Sequence, residues 1–317
     1  METVLVTGAA GFVGSNLSWA LLKDGYKVVG VDNFDDTYEP SFKEEHVAPL
    51  LNDPHFELVR LDIRERNTLI DLFKKVKPSL VAHLASKVDT RAAVEQASLY
   101  VENNILGTLN VFDAAREVEV KNIVFVSSSS VYGNSTTPPW REDAPADRSI
   151  SPYGATKRAA EMFAHAYHHN FGMNITCLRY FNVYGEHNRP TMVPYIWAQA
   201  LLRGESIEIS GGGTRKRDYT YVGDTVRATI SALKKPLGFE IINVGNNHPL
   251  SLTELLSVFE KVIGTKAVVH ERKSHRASAE ETYADITKAG ELLGWKPEVS
   301  VEEGVSRLVS WMKSNRL

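Results

Sequence analysis

The stretch Thr3-Val-Leu-Val-Thr-Gly-Ala-Ala-Gly-Phe-Val-Gly14 decides the fold of this chain. A short β-branched run leads into three glycines and then into a helical pattern, which is the context in which a dinucleotide pyrophosphate binds. Gly8, Gly11 and Gly14 would let backbone amides at a helix N-terminus face phosphate groups, because no side chain intervenes. The spacing is GxxGxxG rather than GxGxxG, and a tight strand-to-helix turn without a ligand is the alternative.

The first 185 residues alternate short apolar runs with longer amphipathic stretches. Repeated β–α alternation of this kind predicts an α/β fold with a doubly wound parallel (Rossmann) sheet, whose strands are apolar because both faces are covered. The strand candidates are Val4–Val6, Lys27–Val31, Phe56–Leu61, Leu80–Leu84, Asn122–Ser127 and Asn174–Asn182. The helical patterns between them are Gly14–Asp24, Asn67–Lys75, Leu99–Glu117 and Pro152–Phe171.

The pattern changes after Gly185, which predicts a smaller mixed α+β substrate domain. We expect a cofactor domain over 1–185 and a substrate domain over 186–317, with a segment near 218–245 packing back on the first. The segment Thr137–Ser151 is expected to be a long surface loop. The further elements expected are the helix Val193–Arg203, the strand Ser206–Ser210, a helix beginning near Gly223, the strand Glu240–Val244 and the helix Ser251–Gly264, which starts with a capping box.

Composition excludes several classes of function. The chain has 317 residues, 43% of them hydrophobic, and a formal net charge of −3. The chain therefore has no excess of positive charge that would attract nucleic acid or an anionic membrane. Because the first strand begins almost at once, we do not expect a signal peptide, and no apolar stretch approaches the length that spans a bilayer. The single cysteine, Cys177, is expected to be a buried strand residue, which fits a cytoplasmic location.

Asp32 ends the second strand, eighteen residues after Gly14. A carboxylate at this position accepts hydrogen bonds from an adenosine ribose and repels a 2′-phosphate, so the cofactor predicted is NAD rather than NADP. Asp62 follows the third strand and could meet the adenine edge or cap the next helix. His83 is expected to be a packed residue at a strand end.

Tyr153 is the only tyrosine with a lysine, Lys157, four residues later. On a helix this spacing predicts an ammonium beside the phenol, and that ammonium together with an oxidised nicotinamide would lower the phenol pKa. The serine cluster Ser127-Ser-Ser-Ser130 ends a central strand just upstream, where ligands of doubly wound sheets bind. A solvated Tyr–Lys pair and a merely polar strand end are the alternatives.

Several stretches together resemble the extended short-chain dehydrogenase/reductases, specifically the nucleotide-sugar epimerase/dehydratase family, and within it the UDP-sugar 4-epimerases. They occur in the family's order over most of the chain. The matching stretches are Val6–Gly14, Val31–Asn33, His83–Ala85, Asn104–Thr108, Ser127–Gly133, Tyr153–Lys157, Leu178–Gly185 and Arg217–Val222.

The resemblance implies a mechanism and a set of contacts. Tyr153 takes the proton of a sugar 4-hydroxyl while the C4 hydride passes to NAD, Lys157 lowers the phenol pKa, and Ser128 hydrogen-bonds the reacting oxygen. Besides the three glycines, Asp32, Tyr153 and Lys157, the implied cofactor residues are Phe12, Val13, Asn33, Asp62, Ile63, Leu84, Ala85, Lys87, Asn104 and Tyr180. The implied residues for the UDP-sugar are Ser128, Ser129, Ser130, Asn182, Arg189, Arg217 and Arg276, with Arg272 as a second candidate beside Arg276.

The neighbours of Ser128 favour epimerisation within the family. The 4,6-dehydratases carry Asp-Glu where Ser129 and Ser130 stand, and the UDP-glucuronate decarboxylases carry Glu at the second position. Hydroxyls do not easily replace those acid and base groups. A non-catalytic NAD-sensing protein is a further alternative, which the intact Ser128, Tyr153 and Lys157 argue against.

The preferred hexose is indicated by the region around Arg189. This arginine matches one expected to face a hexuronate carboxylate, which favours UDP-glucuronate and UDP-galacturonate. The chain departs from that group at Asn182, at Thr191 and at Glu186-His187. UDP-glucose, UDP-galactose and N-acetylated sugars therefore stay open.

Two further expectations concern the helix Pro152–Phe171. By resemblance, it forms a four-helix homodimer interface together with the helix near 99–117. Glu161, His165, His168 and His169 share one side at metal-ligating spacings, but no third-segment ligand is evident, so solvated histidines and no metal are expected.

Overall fold

The computed structural model describes residues 1–134, 137–272 and 281–316. A seven-stranded sheet forms its centre, in the order β11-β6-β5-β4-β1-β2-β3, and every pair is parallel. The strands are β1 Thr3–Thr7, β2 Lys27–Asp32, β3 Phe56–Arg60, β4 Leu80–His83, β5 Asn122–Ser128, β6 Ile175–Tyr180, β7 Val183–Tyr184, β8 Ile207–Ser210, β9 Lys216–Asp218, β10 Thr220–Tyr221, β11 Phe239–Val244, β12 Pro249–Ser251, β13 Val269–Arg272 and β14 Glu281–Thr282. The helices are α1 Phe12–Lys23, α2 Ser41–Val47, α3 Arg66–Val76, α4 Ala92–Glu95, α5 Ala97–Val101, α6 Gly107–Glu117, α7 Pro152–Phe171, α8 Val193–Arg203, α9 Val222–Leu233, α10 Leu252–Ile263, α11 Thr287–Leu293 and α12 Val301–Asn315.

Alternate residues of the central strands enter two separate cores. In β1, Val4 and Val6 pack with α1 and α9, whereas Leu5 packs with α3, α6 and α7 on the other face. Burial of both faces explains why these strands are apolar throughout. The predicted doubly wound α/β sheet is confirmed.

The order of the strands reverses between β1 and β4, and this position fixes where a ligand can bind. Chain connections leave the sheet in opposite directions there, which opens a crevice beyond the carboxyl ends of the two strands. The glycine turn follows β1, and residues 84–88 follow β4 at the same edge. The crevice is therefore bordered by two of the stretches that the sequence singled out.

The predicted helix over 99–117 is interrupted. A π-helical turn over 102–106 separates α5 from α6 and buries Asn103 and Asn104. Such turns occur often at functional sites, because the extra residue changes the direction of side chains. The helix α2 was not predicted, and neither were the elements after residue 264.

The C-terminal part consists of α8, α10 and α12 with three small sheets, β10-β7, β12-β9-β14 and β13-β8. The capping box of α10 is present, since Ser251 and Glu254 exchange backbone and side-chain hydrogen bonds. The strand β11 lies beside β6 as the edge of the central sheet, and α9 packs against α1.

The loop over 137–151 is not only a surface feature, which corrects the expectation. Trp140 and Ala146 are buried with Tyr132 and Phe181 in a small apolar cluster. Across the described ranges, no helix is long and apolar enough to cross a membrane.

Candidate active site

The glycine turn is built by close backbone contacts. Gly8 has a φ of +72°, a conformation that favours glycine, and a Cβ there would lie 2.8 Å from the amide nitrogen of Ala85. A Cβ on Gly14 would lie 2.0 Å from the carbonyl oxygen of Gly8. Neither position therefore tolerates a side chain, and Gly14 lies in the first turn of α1, which begins at Phe12. A backbone cradle at a helix N-terminus fits the pyrophosphate of a dinucleotide.

A cavity of about 420 Å³ opens at the carboxyl edge of the sheet, in front of this turn. Most of the predicted cofactor and substrate residues line this cavity. Those that line it are Gly8, Gly11, Phe12, Val13, Gly14, Asp32, Asn33, Ile63, Leu84, Ala85, Lys87, Ser128, Ser129, Ser130, Tyr153, Tyr180, Asn182 and Arg189.

Asp32 is held in a fixed orientation at the end of β2. Its carboxylate accepts hydrogen bonds from the backbone amides of Ala10 at 3.0 Å and Phe34 at 2.8 Å. The Lys43 ammonium lies 3.7 Å from the same carboxylate. Asp32 thus links β2 to the glycine turn while it lines the cavity.

The segment 33–43, which we call the strap, was not predicted to belong to the site, apart from Asn33. Asp35, Thr37, Tyr38 and Lys43 line the cavity. The Lys87 ammonium bonds from the other side to Asp35 at 2.6 Å and to Thr37 at 3.1 Å. The sequence signal was present only as the acidic and aromatic composition of the strap, because its partner Lys87 is remote in sequence.

Three predicted cofactor residues, Asn104, Asp62 and Lys157, lie outside the cavity lining. The Asn104 amide bonds with the backbone of Lys87, at 2.8 and 3.0 Å, and with the Thr156 hydroxyl at 3.0 Å, so it fixes the wall rather than the cavity surface. Asp62 does not cap α3, which begins at Arg66, because its carboxylate accepts from Arg64 and Asn33 instead. Burial acts to raise the pKa of Asp62, but these hydrogen bonds bring it down to about 2.

Tyr153 stands in the first turn of α7, which Ser151 caps, and Ser128 ends β5 opposite it. Burial raises the pKa of the Tyr153 phenol above its ordinary value. A hydrogen bond with the Ser128 hydroxyl and the positive charge of Arg189 act in the opposite direction. These two groups are therefore the ones that favour the phenolate in this structure.

The structure gives Lys157 a partner other than the phenol, and the acidification of Tyr153 by this ammonium stays a prediction. The side chain runs beneath the helix, is nearly inaccessible and donates to the carbonyl oxygen of Val126 at 2.7 Å. Burial lowers the pKa of Lys157 to about 7, and the Glu161 carboxylate acts to raise it. The i, i+4 spacing takes only the helix into account. The direction of the Lys157 side chain is determined by the neighbouring sheet, through the carbonyl of Val126.

Glu161 is an internal ion-pair residue. Its carboxylate binds Arg179 in a bidentate pair at 2.8 Å for each contact and accepts from Ser127 at 2.6 Å. Both charged side chains are buried. His165 and His168 contact Phe239 instead, and the described part of the chain contains no cluster of metal-ligating side chains.

The predicted arginines have different positions. Arg189 lines the cavity near Tyr153, whereas Arg217 lies outside its lining and donates to the carbonyl oxygen of Lys216. Arg272 is exposed in β13 and pairs with Glu208 at 3.4 Å. Arg276 lies outside the described residues.

His83 and Cys177 have the structural roles expected of them. The His83 ring is buried between the hydroxyls of Thr7 and Thr108, at 2.6 and 2.9 Å. Burial lowers the pKa of His83 to about 3. Cys177 is buried in β6, and burial raises the pKa of its thiol.

A doubly wound sheet with a glycine cradle and a facing Ser–Tyr pair defines a dinucleotide-dependent enzyme that acts on a hydroxyl group. Residues 4–245 match the model of the NAD dependent epimerase/dehydratase family. The chain belongs to this family, and NAD is its cofactor.

Individual relatives share the whole length of the chain. The UDP-glucuronate 4-epimerase of Thermodesulfobacterium geofontis is 41% identical over 316 residues, covering 99% of this chain and 97% of that protein. The crystal structure of UDP-glucuronic acid 4-epimerase from Bacillus cereus in complex with UDP-glucuronic acid and NAD is similar with a TM-score of 0.93 and 36% identity, covering 99% of both chains. The UDP-glucose 4-epimerase of Thermotoga maritima with UDP-glucose has a TM-score of 0.91 and 30% identity, again covering 99% of both chains.

Proposed function

We propose that this protein is an isomerase that epimerises C4 of a UDP-hexose through a transient 4-keto sugar, with UDP-glucuronate and UDP-galacturonate as its substrate pair. The observation that carries the proposal is the meeting of Ser128, Tyr153 and Arg189 in the cavity that the glycine turn borders. The relatives named above support the same activity.

In this mechanism Tyr153 removes the proton of the sugar 4-hydroxyl and later returns it. The residues of the glycine cradle would hold NAD, which would supply the acceptor and donor for the hydride at C4 of the sugar. Ser128 hydrogen-bonds the reacting oxygen and keeps the phenol oriented. Because burial raises the phenol pKa, the base depends on Ser128, on the Arg189 charge and on the cationic cofactor to reach its reactive form.

Lys157 acts from beneath the reacting groups in this account. Its hydrogen bond to Val126 ties α7 to β5 two residues before Ser128. The lysine thereby fixes the distance between the strand that carries the serine and the helix that carries the tyrosine. A charge at this site, in a low-dielectric surrounding, would also favour the phenolate once the cofactor is bound.

Selection of a hexuronate is assigned to Arg189. A guanidinium binds a carboxylate through two parallel hydrogen bonds, which gives both affinity and orientation. Arg189 lines the same cavity wall as Met192, 3.4 Å away, and its charge acts on Tyr153. The similarity to the UDP-glucose 4-epimerase of Thermotoga maritima keeps UDP-glucose and UDP-galactose as the second candidate pair.

The diphosphate of the substrate needs donors from the substrate domain, for which 186–317 is our proposed boundary. Asn182 lines the cavity, and Arg217 stands on β9 beside the buried Asp218. We assign the two phosphates to these side chains, with Arg276 as the further donor.

A homodimer in the cytoplasm is the assembly we propose. Apolar side chains are exposed on the helices expected to form the interface, namely Val101 on α5, Leu106 in the π turn, and Met162 and Phe163 on α7. These elements pack side by side, so the side chains belong to one apolar surface of the kind that marks a protein interface.

The dimer is tested by a matched pair of substitutions. Met162 and Val268 are both 63% exposed, but Val268 lies far along the chain in the C-terminal part. Met162→Glu is expected to give monomers in analytical ultracentrifugation, and Val268→Glu to leave the dimer. Identical sedimentation of the two variants would contradict the proposed interface.

The activity is tested by incubating the protein with a panel of UDP-hexoses and following C4 inversion by proton NMR. The expected result is interconversion of UDP-glucuronate and UDP-galacturonate, with slower or no turnover of UDP-glucose. Tyr153→Phe should abolish inversion while the protein still binds UDP-glucuronate. An absence of turnover with every UDP-hexose would favour the NAD-sensing alternative instead.

A further inference from the structure

A buried ammonium group stands behind the carboxylate that recognises the adenosine ribose in our account. Lys43, on α2, is only 7% exposed, and its Nζ lies 3.7 Å from Oδ1 of Asp32. Both side chains line the cavity. The carboxylate and the ammonium therefore form a neutral ion pair. In our account this pair lies where the 2′-phosphate of NADP would be accepted or rejected.

Other groups hold this ammonium in place besides Asp32. Lys43 donates to the backbone carbonyl of Asp35 at 2.8 Å, and its Nζ lies 5.4 Å from the centroid of the Tyr38 ring. An ammonium has three donors and the Asp35 carbonyl accepts from one, so two remain, and one of these can face Asp32. The lysine would keep its position if residue 32 lost its charge.

The neighbouring cations are already compensated by other carboxylates. Lys87 is paired with Asp35 at 2.6 Å, and Arg60 is paired with Glu44 at 2.7 Å and stacks on Phe34. Lys43 is thus the cation at this wall whose charge is balanced by Asp32 itself. Removing the Asp32 charge would expose a single positive group to the cavity.

We propose that Lys43 is a specificity-determining residue, a phosphate-competent ammonium that Asp32 masks, so that replacement of Asp32 by a neutral residue lets Lys43 bind the 2′-phosphate of NADP. The inference rests on the cofactor site proposed above. It makes NAD selectivity the property of a two-residue pair: Asp32 repels the 2′-phosphate, and Lys43 supplies the attraction that appears when Asp32 is lost.

The test is the affinity for NAD⁺ and NADP⁺, measured by isothermal titration calorimetry on full-length protein freed of bound nucleotide. Asp32→Ser is expected to shift the ratio of the two dissociation constants toward NADP⁺ by about tenfold or more. Adding Lys43→Met should remove the gain for NADP⁺ and leave NAD⁺ binding much less affected. Asp32→Ser with Lys74→Met, at an exposed lysine on α3, is the matched control and should retain the gain.

The possible results distinguish the proposal about Lys43 from the assignment of the cofactor site and of the epimerase activity. If Lys43→Met leaves the NADP⁺ affinity of the Asp32→Ser protein unchanged, Lys43 is only a structural anchor of the strap and the proposal is wrong. Wild-type protein that binds neither nucleotide would overturn the cofactor site instead, whereas epimerase activity is decided separately by NMR. Asp32→Asn, which retains an oxygen for one of the two backbone amides that bind Asp32, repeats the test if the serine variant does not fold.

Discussion

The Nζ atom of Lys157 lies 2.7 Å from the carbonyl oxygen of Val126, so the lysine of α7 is anchored on the strand that ends at Ser128. One turn further along α7, Glu161 accepts a hydrogen bond from Ser127 on the same strand. The helix that carries Tyr153 is thus bound twice to the strand that carries its partner. The geometry of the reacting pair is set by these contacts beneath it.

The hydroxyl of Ser128 is expected to control the pH dependence of the reaction. It lowers the phenol pKa against the effect of burial, so Ser128→Ala should raise that pKa. Because the base must be deprotonated, the rise of kcat with pH should move to higher pH, and kcat at neutral pH should fall by about a hundredfold. Ser128→Thr retains the hydroxyl and should restore both. A pH–rate profile identical for alanine and wild type would exclude this role.

The buried pair of Glu161 and Arg179 should stabilise the fold only as a pair. Glu161→Gln leaves an uncompensated guanidinium in the core and should lower the free energy of unfolding by about 3–5 kcal/mol. Arg179→Met should cost less, because the Arg158 guanidinium still pairs with the Glu161 carboxylate at 3.0 Å. The double variant Glu161→Met/Arg179→Met should be more stable than either single variant in urea unfolding, and simple additivity of the two losses would contradict this account.

Arg189 is expected to discriminate between hexuronates and neutral hexoses. Arg189→Ala should weaken binding of UDP-glucuronate by about 2 kcal/mol or more, because a buried charge pair is lost, and should affect UDP-glucose far less. Arg189→Lys retains the charge but not the two parallel donors, so it should recover only part of the difference. Dissociation constants for both UDP-sugars in the Tyr153→Phe background provide the measurement. Equal losses for both would remove the hexuronate assignment.

Stability should decrease on acidification because three histidines are buried in the neutral form. Burial lowers the pKa of His46 and His83 to about 3 and that of His187 to about 4. Between pH 6.5 and about 4 the unfolded chain therefore binds more protons than the folded chain, so the free energy of unfolding falls as the pH is lowered through this range. The stability these groups contribute is complete above pH 6.5.

His187→Asn tests the contribution of one of these three histidines. Asparagine tolerates the positive φ of residue 187 and does not titrate. Urea unfolding between pH 4.5 and 6.5 should show a pH slope less steep than that of wild type by up to about 1.4 kcal/mol per pH unit. His55→Asn, at an exposed position, is the control and should keep the wild-type slope. An unchanged slope for His187→Asn would show that this ring is not neutral in the folded protein.

Local patterns were sufficient to predict the central sheet and the cradle. The glycine turn, Asp32 and the Ser128–Tyr153 pair follow from short stretches whose spacing restricts the backbone or places polar groups at strand ends. The direction of Lys157 was not predictable in the same way, because Val126 lies 31 residues away in sequence and belongs to a different element.

The strap and the small C-terminal sheets depend on pairing between remote segments. Asp35 finds its partner Lys87 only after β2 and β4 are placed around β1. The strands β9 and β14 are two or three residues long and pair across more than sixty positions, so periodicity carries almost no signal for them. Glu161 was considered as a possible metal ligand, because its buried partner Arg179 cannot be identified from helix spacing alone.

The most direct measurement of the central claim is the fate of the hydrogen on C4 of the sugar. UDP-glucuronate deuterated at C4 is turned over in ordinary water, and the UDP-galacturonate formed is analysed by NMR and mass spectrometry. If Tyr153 moves only the hydroxyl proton while the hydride stays on the bound cofactor, the product keeps its deuterium at C4. Replacement of that deuterium by solvent hydrogen would contradict the account.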